Sequence, residues 1–189
     1  MTHIGDGRTN NTREYIVCGI FAALIAVGAY IRIPIPVCPF TLQFLFTALA
    51  GVILGGRKGA LAVGVYVLLG LIGVPVFTEG GGPSYVFQPT FGYLLGYILG
   101  TYVGGQIARA GLPTFTRFFM ADLANLAIVY ACGIIYLWGV YAFYLGQPKG
   151  ISYMSWYCLV FAIPGDVLLS CLAAVLGLKL YRQLSVLGK

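Results

Sequence analysis

Apolar residues run through this chain in six long stretches, broken by short segments rich in glycine, proline and charge. The stretches fall at about 15–33, 39–56, 59–75, 89–108, 118–141 and 155–178. Each approaches the roughly 20 residues that a helix needs to cross the hydrocarbon core of a bilayer, the second and third being the shortest. None alternates with period two, so the pattern predicts helices apolar around their whole circumference, buried in protein or lipid on every side. The breaks are equally informative. The longest polar interruption, 75-PVFTEGGGPSYVFQPT-90, places three consecutive glycines beside Glu79, the one glutamate beyond the N-terminal segment.

Composition fixes the solvent. Of 189 residues, 60% are hydrophobic and 8% charged, and the mean hydropathy is +0.92. A soluble domain has about 45–50% apolar and about 25% charged residues. The expected fold class is therefore an all-α integral membrane protein of six transmembrane helices. Residues 1–14 are read as a polar tail, 15–180 as the transmembrane domain and 181–189 as a second tail. Six spans use about 120 residues, which leaves no room for a nucleotide-binding domain. Neither 55-GGRKGA-60 nor 80-GGGPSY-85 completes a phosphate-binding glycine pattern.

Charge then gives orientation. Arg8, Arg13, Arg57, Lys58, Arg109, Arg117, Lys179, Arg182 and Lys189 fall on one side of the drawn spans, and only Arg32 and Lys149 on the other. Under the positive-inside rule both termini are expected in the cytoplasm. The net charge of +6 is thus accounted for by topology, and no nucleic-acid partner is expected. The glycine loop, 32-RIPIPVCP-39 and 145-LGQPKGISY-153 are then placed together on the outer face. The one histidine, His3, lies in the first tail, and the five cysteines show no C-x-x-C spacing. No metal site, cofactor or His-based catalysis is expected, and the cysteines read as small apolar packing residues.

Few polar residues lie inside the spans, and those few are the candidates. Irregular backbone at membrane depth survives only where protein buries it or a cavity solvates it, and Gly80, Gly81 and Gly82 would let backbone groups turn toward a polar ligand. A plain solvated turn is the alternative. Asp166, in 161-FAIPGDVLLSC-171, is drawn about eight residues, or ~12 Å, inside the outer end of the last span. A carboxylate there costs about 2.5–3.5 kcal/mol on insertion scales and marks a function by default. Ligand hydrogen bonding, proton coupling, or capping of the N–H groups freed after Pro164 would each explain it. Gln43 lies near the outer end of the second span. Asn125 is expected to hydrogen-bond between helices, and Asp122 to pair with Arg117 at the inner surface. Tyr85, Tyr93 and Tyr97 flank the loop, as an interfacial belt or as pocket wall. Gly92, Gly96, Gly100 and Gly104 recur every fourth residue, as do Gly51 and Gly55, and Gly19, Ala22, Ala23 and Ala26 overlap in small-x-x-x-small pairs, a pattern that lets helices approach closely.

Five motifs in this order, 22-AALIAVGAYIRIPIP-36, 39-PFTLQ-43, the glycine loop, 89-PTFGYLLGY-97 and 164-PGD-166, resemble the BioY family, the biotin-specific substrate-binding components of energy-coupling factor transporters. The likeness spans about residues 15–180. It implies a multi-pass protein of the cell membrane that captures biotin outside and works with a transmembrane coupling protein and two ABC-type ATPases. It also implies that Gln43, Gly80, Gly81, Gly82, Tyr85, Tyr93 and Asp166 surround biotin, and that Ala22 and Ala26 match the A-x-x-x-A pattern that meets the coupling protein. Leu169 departs from the family, where a lysine often follows the Pro-Gly-Asp aspartate at that spacing. A standalone carrier of biotin or another small vitamin, acting without a coupling module, is the other reading.

Overall fold

The computed structural model describes residues 6–33, 40–144 and 151–187, and every apolar run within them is a helix. These are α1 (Asp6–Tyr30), α2 (Gln43–Leu54), α3 (Gly56–Leu71), α4 (Phe91–Arg109), α5 (Phe115–Gly139) and α6 (Ile151–Leu187). A π-helical turn, Val140–Tyr144, follows α5, and a 3-10 turn, Pro83–Phe87, precedes α4. A two-residue strand pair interrupts the all-helical pattern: β1 (Arg32–Ile33) lies antiparallel to β2 (Phe40–Thr41), with Arg32 opposite Thr41. The first expected tail is helical from Asp6, and α6 runs through Pro164 and on to Leu187.

Successive helices alternate in direction, so the bundle has a basic end, with Arg57, Lys58, Arg109 and Arg117, and a loop end, with residues 72–90 and the strand pair. At the basic end Lys58 forms an ion pair with Glu14, and Arg109 donates to the Ile53 carbonyl at 2.6 Å.

The shortest helix positions the site. α2 has 12 residues and rises about 18 Å, well short of a ~30 Å hydrocarbon core. It starts at Gln43 and ends at Gly55, whose φ of 81° suits glycine and lets α3 begin immediately. The space above Gln43 at the loop end is walled by α4, α5, α6, β2 and the loop.

The glycine stripe of α4 lets that helix press against α5. A Cβ at Gly92 would fall 2.2 Å from the Tyr136 Cβ, one at Gly96 would fall 2.8 Å from the Val129 Cα, and one at Gly104 would fall 2.8 Å from the Ala121 carbonyl. The expectation of internal packing holds for these positions. Asn125 does not make the interhelical hydrogen bond expected of its carbonyl: Oδ1 is buried without a partner and lies over Gly100.

Asp122 also departs from expectation. It is 2% exposed, its Oδ2 has no hydrogen-bond partner, and it makes no ion pair with Arg117 among the described residues. Five residues on a helix turn through about 500°, which leaves the two side chains about 140° apart around the axis. Arg117 lies instead against Gly111.

Candidate functional site

A cavity of about 610 Å³, counting its open mouth, occupies the loop end above the start of α2. Each helix contributes residues one turn apart on a single face: Tyr93 and Tyr97 from α4, Leu126 and Tyr130 from α5, Ala162 and Asp166 from α6. Gln43 and Phe44 close the floor, and Thr41, Thr78, Tyr85 and Thr90 come from the segments between the α-helices.

The polar groups are few and directed. Asp166 is 8% exposed, and its Oδ2 accepts a 2.5 Å hydrogen bond from the Tyr130 hydroxyl on α5. The carboxylate is thus aimed across the bundle, and one bond from a neutral donor leaves it acceptor capacity toward the cavity. Ser170 one turn later donates to the Asp166 carbonyl at 2.8 Å. Gln43 is 3% exposed. Its amide interacts with Tyr66, yet Nε2 finds no acceptor in hydrogen-bonding geometry. Thr90 Oγ1, also on the wall, is buried and unpaired. A buried polar atom without a partner costs about 1–3 kcal/mol, so these two atoms mark where ligand polar groups belong. Around them the walls are aromatic: Tyr93 meets Tyr130 edge to face at 6.1 Å, and Phe77 packs against both Tyr85 and Tyr66.

The loop above is stitched down by side chains that donate to its carbonyls. Tyr30 reaches Pro75, Tyr66 reaches Val76, Arg32 reaches Thr78 and Tyr136 reaches Val86. Thr78 Oγ1 and the Tyr85 hydroxyl lie 3.1 Å apart.

Gln43, Tyr85, Tyr93 and Asp166 therefore share one cavity. Gly80, Gly81 and Gly82 do not line it. They bend the loop instead: Gly80 and Gly82 hold φ of 109° and 115°, Gly82 N–H donates to the Gly70 carbonyl at 2.7 Å, and a Cβ at Gly81 would fall 2.3 Å from the Val74 carbonyl oxygen. Close packing of Gly81 on the end of α3 thus helps to set where Thr78 and Tyr85 stand.

The small-residue stripe of α1 divides between two faces. Ala22 is 4% exposed and packs in the core with Cys18, Phe21 and Ile25. Ala26 is half-buried against the same core. The residues facing outward are Ile16, Gly19, Ile20, Ala23 and Val27, and a Cβ at Gly19 would meet nothing within 4 Å.

Thr41, Thr78, Thr90 and Tyr130 were not picked out by sequence reasoning. The signal for Tyr130 was available: it stands one turn from Leu126, as Asp166 does from Ala162, and only one of fourteen tyrosines needed to face the buried carboxylate.

Fold and site together define a small helical bundle with a polar, aromatic-walled cavity at one end. Comparison with known proteins names the family: the BioY family model matches residues 2–186, and the chain belongs to that family. It is 42% identical over 176 residues to a probable biotin transporter BioY of Lysinibacillus sphaericus, covering 93% of this chain and 90% of the relative. It is 46% identical over 126 residues to the biotin transporter BioY of Thermotoga maritima, covering 66% and 74%, and 38% identical over 181 residues to that of Rhizobium etli, covering 88% and 92%. The solved structure of an S-component for biotin from an ECF-type ABC transporter superposes with a TM-score of 0.79 at 26% identity, covering 96% of this chain and 95% of that one.

Proposed function

We propose that this chain is the membrane-embedded substrate-binding component of an energy-coupling factor transporter and that it captures biotin. The observation that carries this reading is the pairing, in one aromatic-walled cavity, of an acceptor with spare capacity, Asp166, and an unpaired amide donor, Gln43 Nε2. Biotin presents the complement: two ureido N–H donors, a ureido carbonyl between them, and an apolar thioether ring. The ureido N–H groups approach the Asp166 carboxylate, the carbonyl accepts from Gln43, and the fused rings lie among Tyr85, Tyr93 and Tyr130. Family membership supports the same ligand.

The basic end faces the cytoplasm and the cavity opens outward, a reading supported by the distribution of Lys and Arg. Two of the described helical segments, Phe115–Tyr144 and Ala162–Gln183, are long and apolar enough to cross a membrane alone, and the shorter helices span as parts of the bundle. Energy comes from outside the chain, through a coupling protein and two ABC-type ATPases. The test is uptake of labelled biotin by cells that lack their own biotin transporter and express this chain with or without the coupling protein and ATPases. Accumulation only with the partners supports the assembly, accumulation without them supports a standalone carrier, and no accumulation in either case contradicts transport.

The division of α1 changes where a coupling helix can lie. It would rest on the face of Gly19 and Ala23, because Ala22 is already packed inside. Ala23→Trp is expected to keep biotin affinity within two-fold while losing capture of the coupling protein and energised uptake. Ala22→Trp is expected to lower the yield of folded protein, since a large ring cannot enter a packed core without strain. Normal yield and affinity for Ala22→Trp in the purified chain would return that residue to the surface.

A further inference from the structure

Among the described residues, the cavity walls include one carboxylate and no lysine or arginine. Biotin is itself an anion through its valerate carboxylate. If its ureido group faces Asp166 and Gln43, the carboxylate must point away from Asp166 toward the mouth, where like-charge repulsion is smallest. Leu169, partly buried, adds no charge. A counter-charge has to come from the rim.

We propose that Arg32 is that counter-charge: it receives the carboxylate of the bound ligand at the cavity mouth and makes the site select a free acid over its neutral ester. The proposal rests on the biotin reading above and deepens it. Arg32 is held at the rim from two directions. Its backbone pairs in register with Thr41, and its Nη1 donates to the Thr78 carbonyl at 2.8 Å. Thr41 and Thr78 are both cavity walls, so the Arg32 backbone is fixed beside one wall residue and its guanidinium is held on the carbonyl of another. A guanidinium has five N–H donors in a planar fork, and one is used on Thr78. The rest are available for a carboxylate, which the fork can grip in bidentate fashion. Glu79, next to Thr78, does not neutralise it: among the described residues the ion pair is Lys58–Glu14 at the far end of the bundle. The other cations of the described chain, Arg8, Arg13, Arg57, Lys58, Arg109, Arg117, Lys179 and Arg182, stand on segments at the basic end, while Lys149 lies outside the described residues.

A purely mechanical role would look different. The same Thr78 bond clamps the loop to β1, and a clamp would support any ligand regardless of charge. Titrating the purified full-length protein with biotin and with biotin methyl ester separates the two. The native protein is expected to bind the acid about ten-fold more tightly than the ester, the effect of one charge-assisted contact at a partly solvated rim. Arg32→Gln is expected to weaken biotin about ten-fold and leave the ester unchanged, so that the two ligands bind alike. Arg32→Lys is expected to recover part of the preference for the acid. Equal affinity of the native protein for acid and ester overturns the proposal without needing any variant. Equal losses for both ligands in Arg32→Gln, or no loss for either, overturn it as well. A native protein that binds neither ligand would instead contradict the biotin reading.

Discussion

Asp166→Asn is expected to weaken biotin binding by about 1.5–3 kcal/mol, the range for a hydrogen bond to a charged group, or roughly ten- to 150-fold. The reason is directional as much as electrostatic. Tyr130 donates to one carboxylate oxygen, so the asparagine must keep its carbonyl toward that hydroxyl. Its amide then faces the ureido N–H groups of the ligand, donor against donor. Tyr130→Phe should cost less, about 0.5–1.5 kcal/mol, because it removes a neutral donor that orients the acid without removing the acceptor. Calorimetric titration of the purified variants checks both. Unchanged affinity in Asp166→Asn would take this residue out of the ligand contacts and leave it a role within the fold.

Gly100→Leu should prevent α4 and α5 from docking and abolish the yield of monodisperse protein. A Cβ at Gly100 would stand 2.1 Å from Asn125 Oδ1 and 2.8 Å from the Asn125 backbone oxygen. The side chain could move, but the backbone belongs to a helix held along its whole length. Overpacking of a close interface costs typically about 1–3 kcal/mol or more, and here the leucine also displaces the faces that carry Tyr93, Tyr97 and Tyr130 to the cavity. Gly64→Leu is the control. It makes the same chemical change in α3, where a Cβ meets nothing within 4 Å, and it should fold and bind like the native chain. Size-exclusion profiles in detergent and thermal unfolding report the contrast, and equal behaviour of the two variants would mean that close α4–α5 packing is not what requires glycine.

These two cases show which information the sequence carried. A glycine every fourth residue can serve little except close helix approach, so the α4 stripe was legible. A carboxylate deep in a hydrocarbon span is costly enough that Asp166 was legible as well. What failed was the choice between faces. α1 is apolar all around, so nothing in its pattern separates the core side, with Ala22, from the outward side, with Ala23. The glycine loop suggested backbone contacts with a ligand because glycine permits them, and the folded chain adds what the sequence did not show, Gly81 pressed against Val74. Asp122 was misread through nearness in sequence to Arg117, although a five-residue offset turns the two side chains apart. Threonines 41, 78 and 90 gave no signal, because a hydroxyl in a membrane helix or turn usually satisfies itself on nearby backbone. Thr47 does so here, on the Phe44 carbonyl at 2.9 Å, while Thr101 on α4 reaches across to the Thr47 carbonyl of α2 at 3.3 Å.

Asp122 and Asn125 remain as buried polar groups with unpaired oxygens on the α5 side of the bundle. They stand three residues apart, on the same face of one helix, toward the basic end from Tyr130 and Asp166. The cavity does not include either of them.

The most direct measurement is a calorimetric titration of the purified, detergent-solubilised native protein with biotin and, in parallel, with other water-soluble vitamins that lack a ureido group. Saturable one-to-one binding of biotin, absent for the others and weakened at least ten-fold by Asp166→Asn, is the predicted result. Absence of biotin binding, or equally tight binding of a vitamin without the ureido group, would contradict the account.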